Sequence, residues 1–383
     1  IVVINNSSWD TGGGIYIRNS DATISGSTIS GNTSHHNGGG IWMYDSNPNI
    51  SGTTITENTS EGDGGGIYMT GWSYVPVLED LIITGNVANG GNGGGINSDG
   101  CFPILSNVII SENSCIDGSG GGAYFSGQAS LTMVDVISNT AALGGGLWIH
   151  GSLTINGGNI CNNSSIWGGG GVYCQYGSQF NGVTFSGNTA YRGGGVNGSM
   201  TIANSTFANN LAAESGNAIY GNPTISYSNI TNNGTGLIDP DNNYFLPATN
   251  NYWGHHSGPY NSIQNPSGLG DSTSSYVNVA PWLESPDTDA PPIPAQNLIV
   301  NNTGIDFINL SWDSSLLDDF ANFKLYYDTD SSGYPYSNSI DLDVDTSYTF
   351  AGLSPGVVYY LAVTVLDTVG NESWDSSELQ VTP

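Results

Sequence analysis

GGGIYI at residues 12–17, GGGIWM at 38–43 and GGGIYM at 64–69 are three copies of one phrase. The glycine triplet returns at Gly93, Gly120, Gly144, Gly169 and Gly193, with spacings of 24 to 29 residues, and a degenerate copy, Gly216-Asn217-Ala218, follows one period later. Between triplets a second signature recurs: two apolar residues five apart, such as Ile24/Ile29, Ile50/Ile55 and Phe180/Phe185, the later one followed by an asparagine three positions on. The asparagines are Asn32, Asn58, Asn86, Asn113, Asn139, Asn163, Asn188, Asn210 and Asn233. A unit this short, with three short strands bent by Gly, Ser and Asn, cannot bury its apolar residues alone, whereas stacked copies share one continuous core. The pattern predicts about ten coils, paired as parallel strands ~4.8 Å apart, in a rod near 50 Å long. The recurring asparagine reads as a ladder in a turn, its side chain bonded to backbone and to its neighbours in adjacent coils.

These residues resemble the pectin-lyase-like right-handed β-helix superfamily, in particular bacterial surface members with GG-[AIG] and N-x-[TSA] repeats, like polymorphic outer-membrane proteins. Asn251 to Leu283, containing NYWGHHSGPY and VNVAPWL, looks like the C-terminal closing piece of such proteins. The resemblance implies an all-β right-handed parallel β-helix over residues 1–283, with residues 251–283 as its closing segment. It does not choose a function, because the scaffold hosts lyases, hydrolases, isomerases and adhesins.

Between Glu284 and Pro294 the chain turns proline-rich and acidic, so residues 284–293 read as an extended linker. Residues 294–383 follow sandwich grammar, with short alternating strands expected at 297–300, 307–312, 323–327, 347–350, 359–366 and 379–381. Leu353-Ser354-Pro355-Gly356-Val357-Val358-Tyr359 resembles the L-x-P-G-x-x-Y of fibronectin type III domains, which makes Tyr359 the tyrosine-corner residue and Trp312 a core residue. The resemblance implies an immunoglobulin-like sandwich that serves as a spacer or docking module.

Composition restricts the chemistry. The chain has 3 Lys+Arg against 32 Asp+Glu and a formal charge of −29. No basic patch can form to neutralise phosphates, so anionic membrane surfaces are poor partners and no nucleic-acid partner is expected. No apolar run reaches the ~18 residues of a membrane span, so no transmembrane segment is expected. The polar, lysine-poor composition suits a secreted, bacterial, extracellular or cell-surface protein. The opening at Ile1 in mid-repeat suggests a removed leader and an uncovered solenoid end that invites edge pairing. Cys101, Cys115, Cys161 and Cys174 lack CxxC spacing; pairing within a coil and simple core burial both stand.

Lyases on this scaffold abstract a proton with Arg or Lys, but Arg18 and Arg192 lie seven coils apart, roughly 34 Å at ~4.8 Å per coil. They cannot share a site. A hydrolase needs clustered carboxylates, and Asp10, Asp63 and Asp117 occupy corresponding turns of alternate coils, with Glu61 near Asp63. Local turn bonding explains those acids more simply. Calcium could sit on the acidic turns, although no residues stand out as ligands, no catalytic residue is assigned and no cofactor is expected. His35/His36 and His255/His256 read as solvated turn residues.

The sharper feature is a stripe. In the strand after each triplet the first and third residues are apolar, so the second points outward. Those second residues are Tyr16, Trp42, Tyr68, Asn97, Tyr124, Trp148, Tyr173 and Asn197. Tyr16, Trp42, Tyr68, Tyr124, Trp148 and Tyr173 are therefore the candidate binding residues. Cross-strand stacking alone would account for such a ladder; a contact surface would as well. The expectation is a non-enzymatic structural or adhesive protein, using this face for self-assembly into a filament or sheath, or for binding a glycan or protein partner. The competing expectation is a carboxylate-dependent polysaccharide hydrolase or other carbohydrate-active enzyme.

Overall fold

Each coil turns where the sequence supplies residues able to take a left-handed backbone. In the computed structural model, which describes residues 1–240, 245–330 and 336–383, positive φ recurs at four places in most coils. One is the first glycine of the triplet (Gly38, φ 71°), another the residue after the triplet strand (Asp45, φ 47°), a third the residue midway through the apolar pair (Gly52, φ 52°), and the fourth the residue before the ladder asparagine (Glu57, φ 55°). Between these corners run four short strands rather than three, as in Ile41–Tyr44, Asn49–Ser51, Thr54–Thr56 and Thr59–Ser60. The corner inside the apolar pair places its two members on separate strands. In later copies the split is bridged, as in Ile104–Ser111 and Ala129–Ile137.

The strands stack in parallel and in register: Ile15 pairs with Ile41, Ile41 with Ile67, and Ile67 with Ile96. Triplet and apolar-pair strands form a continuous 26-stranded sheet, and the strands after the ladder asparagines form a nine-stranded one. That sheet marks nine coils, in line with the expected count of about ten. Ile41, Ile50, Ile55 and their equivalents are fully buried in one core running the length of the helix. The triplet needs glycine for space as well as for φ. A Cβ on Gly39 would run into the carbonyl oxygens of Gly65 and Thr59, and one on Gly40 would press on the Asn58 side chain at 3.0 Å.

The asparagines form the expected ladder, and it has a direction. Asn32 donates from its backbone N and its Nδ2 to Asn58 Oδ1, at 3.0 and 2.9 Å, and Asn58 does the same to Asn86 at 3.0 and 2.9 Å. Each Nδ2 also donates to a backbone carbonyl, as Asn58 does to Ile29 at 2.9 Å. The chain of bonds starts at Asn6, passes through Asn233, and ends on Asp271, whose Oδ2 accepts from Asn233 N and Nδ2 at 3.0 and 2.9 Å. The last member only accepts, which is why an aspartate serves there. Burial nevertheless holds the Asp271 carboxyl above the usual carboxylate range, against the opposing effect of those bonds and one from Gly234.

Residues after Asn250 fold over the last coil. Trp253 is fully buried against Gly236 and Ile230, Tyr252 bridges to Asn229, and Ser272–Thr273 pairs with Thr235–Ile238. The cysteine question resolves toward burial: Cys101, Cys115 and Cys174 are free and buried, and Cys161 Sγ faces the Thr184 carbonyl at 3.9 Å. Burial pushes the thiols of Cys101 and Cys115 up to about 12.

Contacts divide the chain into Ile1–Glu284 and Ser285–Pro383. The second unit is a sandwich. Its three-stranded sheet orders Ile299–Thr303, Phe307–Ser311 and Ser347–Ala351; its four-stranded sheet orders Asn338–Asp341, Phe320–Asp328, Tyr359–Asp367 and Leu379–Val381, all antiparallel. Asn338–Asp341 is the strand that periodicity missed, because this edge strand is mostly exposed and carries no alternating apolar face. Trp312 and Phe323 meet edge to face at 5.4 Å in the core. Tyr359 Oη accepts from Ser354 N at 3.0 Å, closing the tyrosine corner.

Candidate functional site

The triplet strands present their second residues away from the core, and those side chains form two ladders rather than one stripe. Tyr16 stacks on Trp42 at 4.5 Å. Tyr124 stacks on Trp148 at 4.5 Å with rings 2° from parallel, and Trp148 on Tyr173 at 6.4 Å. Strand register causes this, because it sets Tyr124 beside Trp148 and Trp148 beside Tyr173. Tyr68 departs from the expected exposed stripe, being only 8% exposed, and Asn97 beside it is 2% exposed. Here the turn of the next coil is tied down. Asn97 Nδ2 donates to the Asn92 carbonyl at 3.2 Å, and Asn92 N donates to Asp63 Oδ1 at 2.7 Å. Burial, with Asp99 and Asp63 nearby, raises the Tyr68 hydroxyl above its ordinary value. Tyr124 is raised by the same causes.

The ladders recruit residues that the count of second positions passed over. Tyr44 lies 5.9 Å from Trp42, His150 lies 5.7 Å from Trp148, and Tyr176 lies 5.6 Å from His150. Tyr44 and His150 are two residues beyond Trp42 and Trp148, so period-two alternation carried one step further would have found them. Tyr220 follows Asn197 in register, with the Arg192 guanidinium 5.4 Å from its ring centre. Because rings in a ladder stack on each other, ring faces within it are covered by neighbours. Edges and polar tips are what such a ladder offers outward.

The acids do not converge. Asp63 is committed to Asn92, Glu61 accepts from Asn89 Nδ2 at 3.2 Å, and Asp10 offers its backbone carbonyl to His36 N at 3.1 Å. Elsewhere carboxylates likewise brace the next coil: Asp21 accepts from Asn47 N at 2.9 Å and Asp135 from Asn159 N and Nδ2 at 3.0 and 2.8 Å. Among the described residues no group of three or more His, Cys, Asp or Glu is placed to hold a metal ion. Both arginines of the helix are engaged. Arg18 lies 5.5 Å from the centre of the Tyr44 ring, and Arg192 pairs with Glu214. His35 stacks on Trp9 at 4.3 Å, and His255 lies against His256 at 4.2 Å.

Fold and repeat together define a β-helix protein with an appended sandwich module. Residues 1–86 match the family model of the right handed beta helix region, and residues 291–382 match that of the fibronectin type III domain. No curated protein matches the chain. Solved structures similar to it include a Fn3-like protein from Clostridium thermocellum, at 25% identity over 24% of this chain and 92% of that one, with a TM-score of 0.21. The Clostridium perfringens spore cortex lytic enzyme SleM is 19% identical over 26% of this chain and 31% of that one, TM-score 0.21. The FN1–FN3 domains of chicken CNTN1 are 14% identical over 24% of this chain, TM-score 0.22, and this chain spans about a third of their length, 32%. The two domain types are compatible with a surface or adhesive protein.

Proposed function

We propose that this is an extracellular or cell-surface adhesive protein that makes contact through the side of its β-helix, with the fibronectin type III domain as spacer. The observation that carries this reading is the Tyr124–Trp148–Tyr173 ladder, continued sideways by His150 and Tyr176. It is a partly exposed aromatic surface on a rigid sheet, repeating at the coil spacing, and contiguous surface of this kind marks contact sites. An extended glycan laid along the helix would meet ring edges, hydroxyls and the Trp148 indole N–H in repeating order. The dispersal of carboxylates into coil-bracing bonds supports binding over hydrolysis.

The test is a glycan array probed with the labelled chain, alongside Trp148→Ala and a reducing-end assay on every glycan bound. Binding that drops at least tenfold in Trp148→Ala, without new reducing ends, supports the proposal. Release of reducing ends, or binding indifferent to Trp148, overturns it.

A further inference from the structure

A second face of the helix carries exposed apolar surface that the aromatic ladders do not use. On the nine-stranded sheet, Cys115, Ala141, Ser165 and Ala190 point inward and are buried. The residues following them therefore point outward, and Ile116, Ala142, Ile166 and Tyr191 stand in one column. Ile116 is 67%, Ile166 53% and Tyr191 43% exposed; Trp167 beside Ile166 is 61% exposed, and Leu211 further along the sheet is 59% exposed. The column is also uneven. Between ladder asparagine and glycine triplet the successive copies hold residues 114–119, 140–143 and 164–168, so the middle copy is shortest. The sheet absorbs the difference as register shifts on both sides of Ala141–Leu143. The result is a notch of about 210 Å³ lined by Ile116, Thr140, Ala141, Ser164, Ser165 and Ile166.

We infer that this face is where a second copy of the chain docks, in an isologous pair that seats the Ile166-Trp167 ridge of each copy in the notch of the other. Charge selects the occupant. Two copies each carrying a formal −29 repel wherever their carboxylates face one another. The column from Ile116 to Tyr191 has no carboxylate: Asp117 lies at one end, and at the other Glu214 is neutralised by Arg192. It is a patch on which two such chains can touch without opposing charges. Area agrees. At roughly 150–250 Å² for a fully exposed aromatic side chain, the five exposed side chains offer on the order of 500 Å² per copy. Two copies bury about 1,000 Å², the lower bound for a specific interface, so association is weak and concentration-dependent. The ridge forms one wall of the notch, one coil from its floor at Thr140 and Ala141, so an antiparallel two-fold between ridge and floor brings each ridge over the other's notch.

Sedimentation velocity of the full chain over a range of concentrations, at about 0.05 and about 0.5 M salt, tests this, since screening contracts from above 10 Å to below 5 Å across that range. The expected result is a monomer–dimer equilibrium that tightens at least fivefold in high salt and is lost in Ile166→Asp and in Trp167→Ala. Both sites are exposed, so these variants retain the fold, and Trp72→Ala, at an 86% exposed residue off this face, leaves the equilibrium unchanged. A chain monomeric at every concentration overturns the inference, as does a dimer indifferent to both substitutions or one that salt weakens. The glycan array reports separately on the adhesive proposal, because it depends on Trp148 and not on Trp167.

Discussion

Removing one rung of the asparagine ladder should cost far more than a typical polar truncation. Asn139 Oδ1 accepts from Asn113 N and Nδ2 at 2.9 and 3.0 Å, while its own Nδ2 donates to the Ile110 carbonyl and to Asn163 Oδ1 at 2.9 and 3.0 Å. Asn113, Asn139 and Asn163 are all fully buried, so no water can replace the lost partner. Asn139→Ala strands two buried donors of Asn113, at about 1–3 kcal/mol each, and the total is roughly 2–6 kcal/mol. Asn139→Asp is no remedy. Its second oxygen would face the Ile110 carbonyl and Asn163 Oδ1, acceptor against acceptor, and would bury a charge. The ladder's end behaves oppositely. Asp271 Oδ2 accepts from Asn233 and its Oδ1 accepts from Gly234 N at 2.9 Å, so Asp271→Asn sets an amide donor against a donor. Urea unfolding, with hydrogen exchange at the flanking coils because stacked repeats need not unfold in one step, measures all three. The exposed Asn89→Ala serves as control and stays within about 0.5 kcal/mol. Asn139→Ala within that same margin, or Asn139→Asp more stable than Asn139→Ala, would refute the directional ladder.

Other outcomes follow from single positions. In the sandwich, burial and then the neighbouring Glu372 and Glu378 push the Asp375 carboxyl up to about 7. A folded-state value above the unfolded one means that its stabilising effect is complete below about pH 3.9 and lost as pH rises through 7. The sandwich melting temperature should fall across that interval, and Asp375→Asn should flatten the fall. Tyr227 holds the corner inside an apolar pair with φ 52°, where other copies use Gly26, Gly52 or Asn204. Tyr227→Asn should raise stability by about 1 kcal/mol in urea unfolding, since an ordinary side chain costs about 1–2 kcal/mol there. Gly39→Ala, whose Cβ would strike two backbone carbonyls, should destabilise the helix by more than about 3 kcal/mol on the same measure.

Period, phase and pairing were legible because stacking repeats a local requirement. Every copy must supply a glycine where φ is positive, a small residue where the next coil passes, an apolar pair for the core and an asparagine for the ladder. Nine repetitions of Asn32's spacing relative to Ile29 left one arrangement that buries them all. The tyrosine corner was equally legible, since Leu353 to Tyr359 carry it within seven residues. By itself the sequence determined the β-helix, the sandwich and the near absence of cations that excludes a basic site. Only the tertiary structure decided which outward side chains are available. Tyr68 and Tyr124 occupy the same position in the repeat, yet Tyr68 is buried, paired in register with the buried Asn97, and Tyr124 joins a partly exposed ladder. Strand alternation sets the direction of a side chain; what lies over it is set by the neighbouring coils. The notch beside Ile166 has the same origin, a turn shorter than its two neighbours, whose depth exists only once the three coils are stacked.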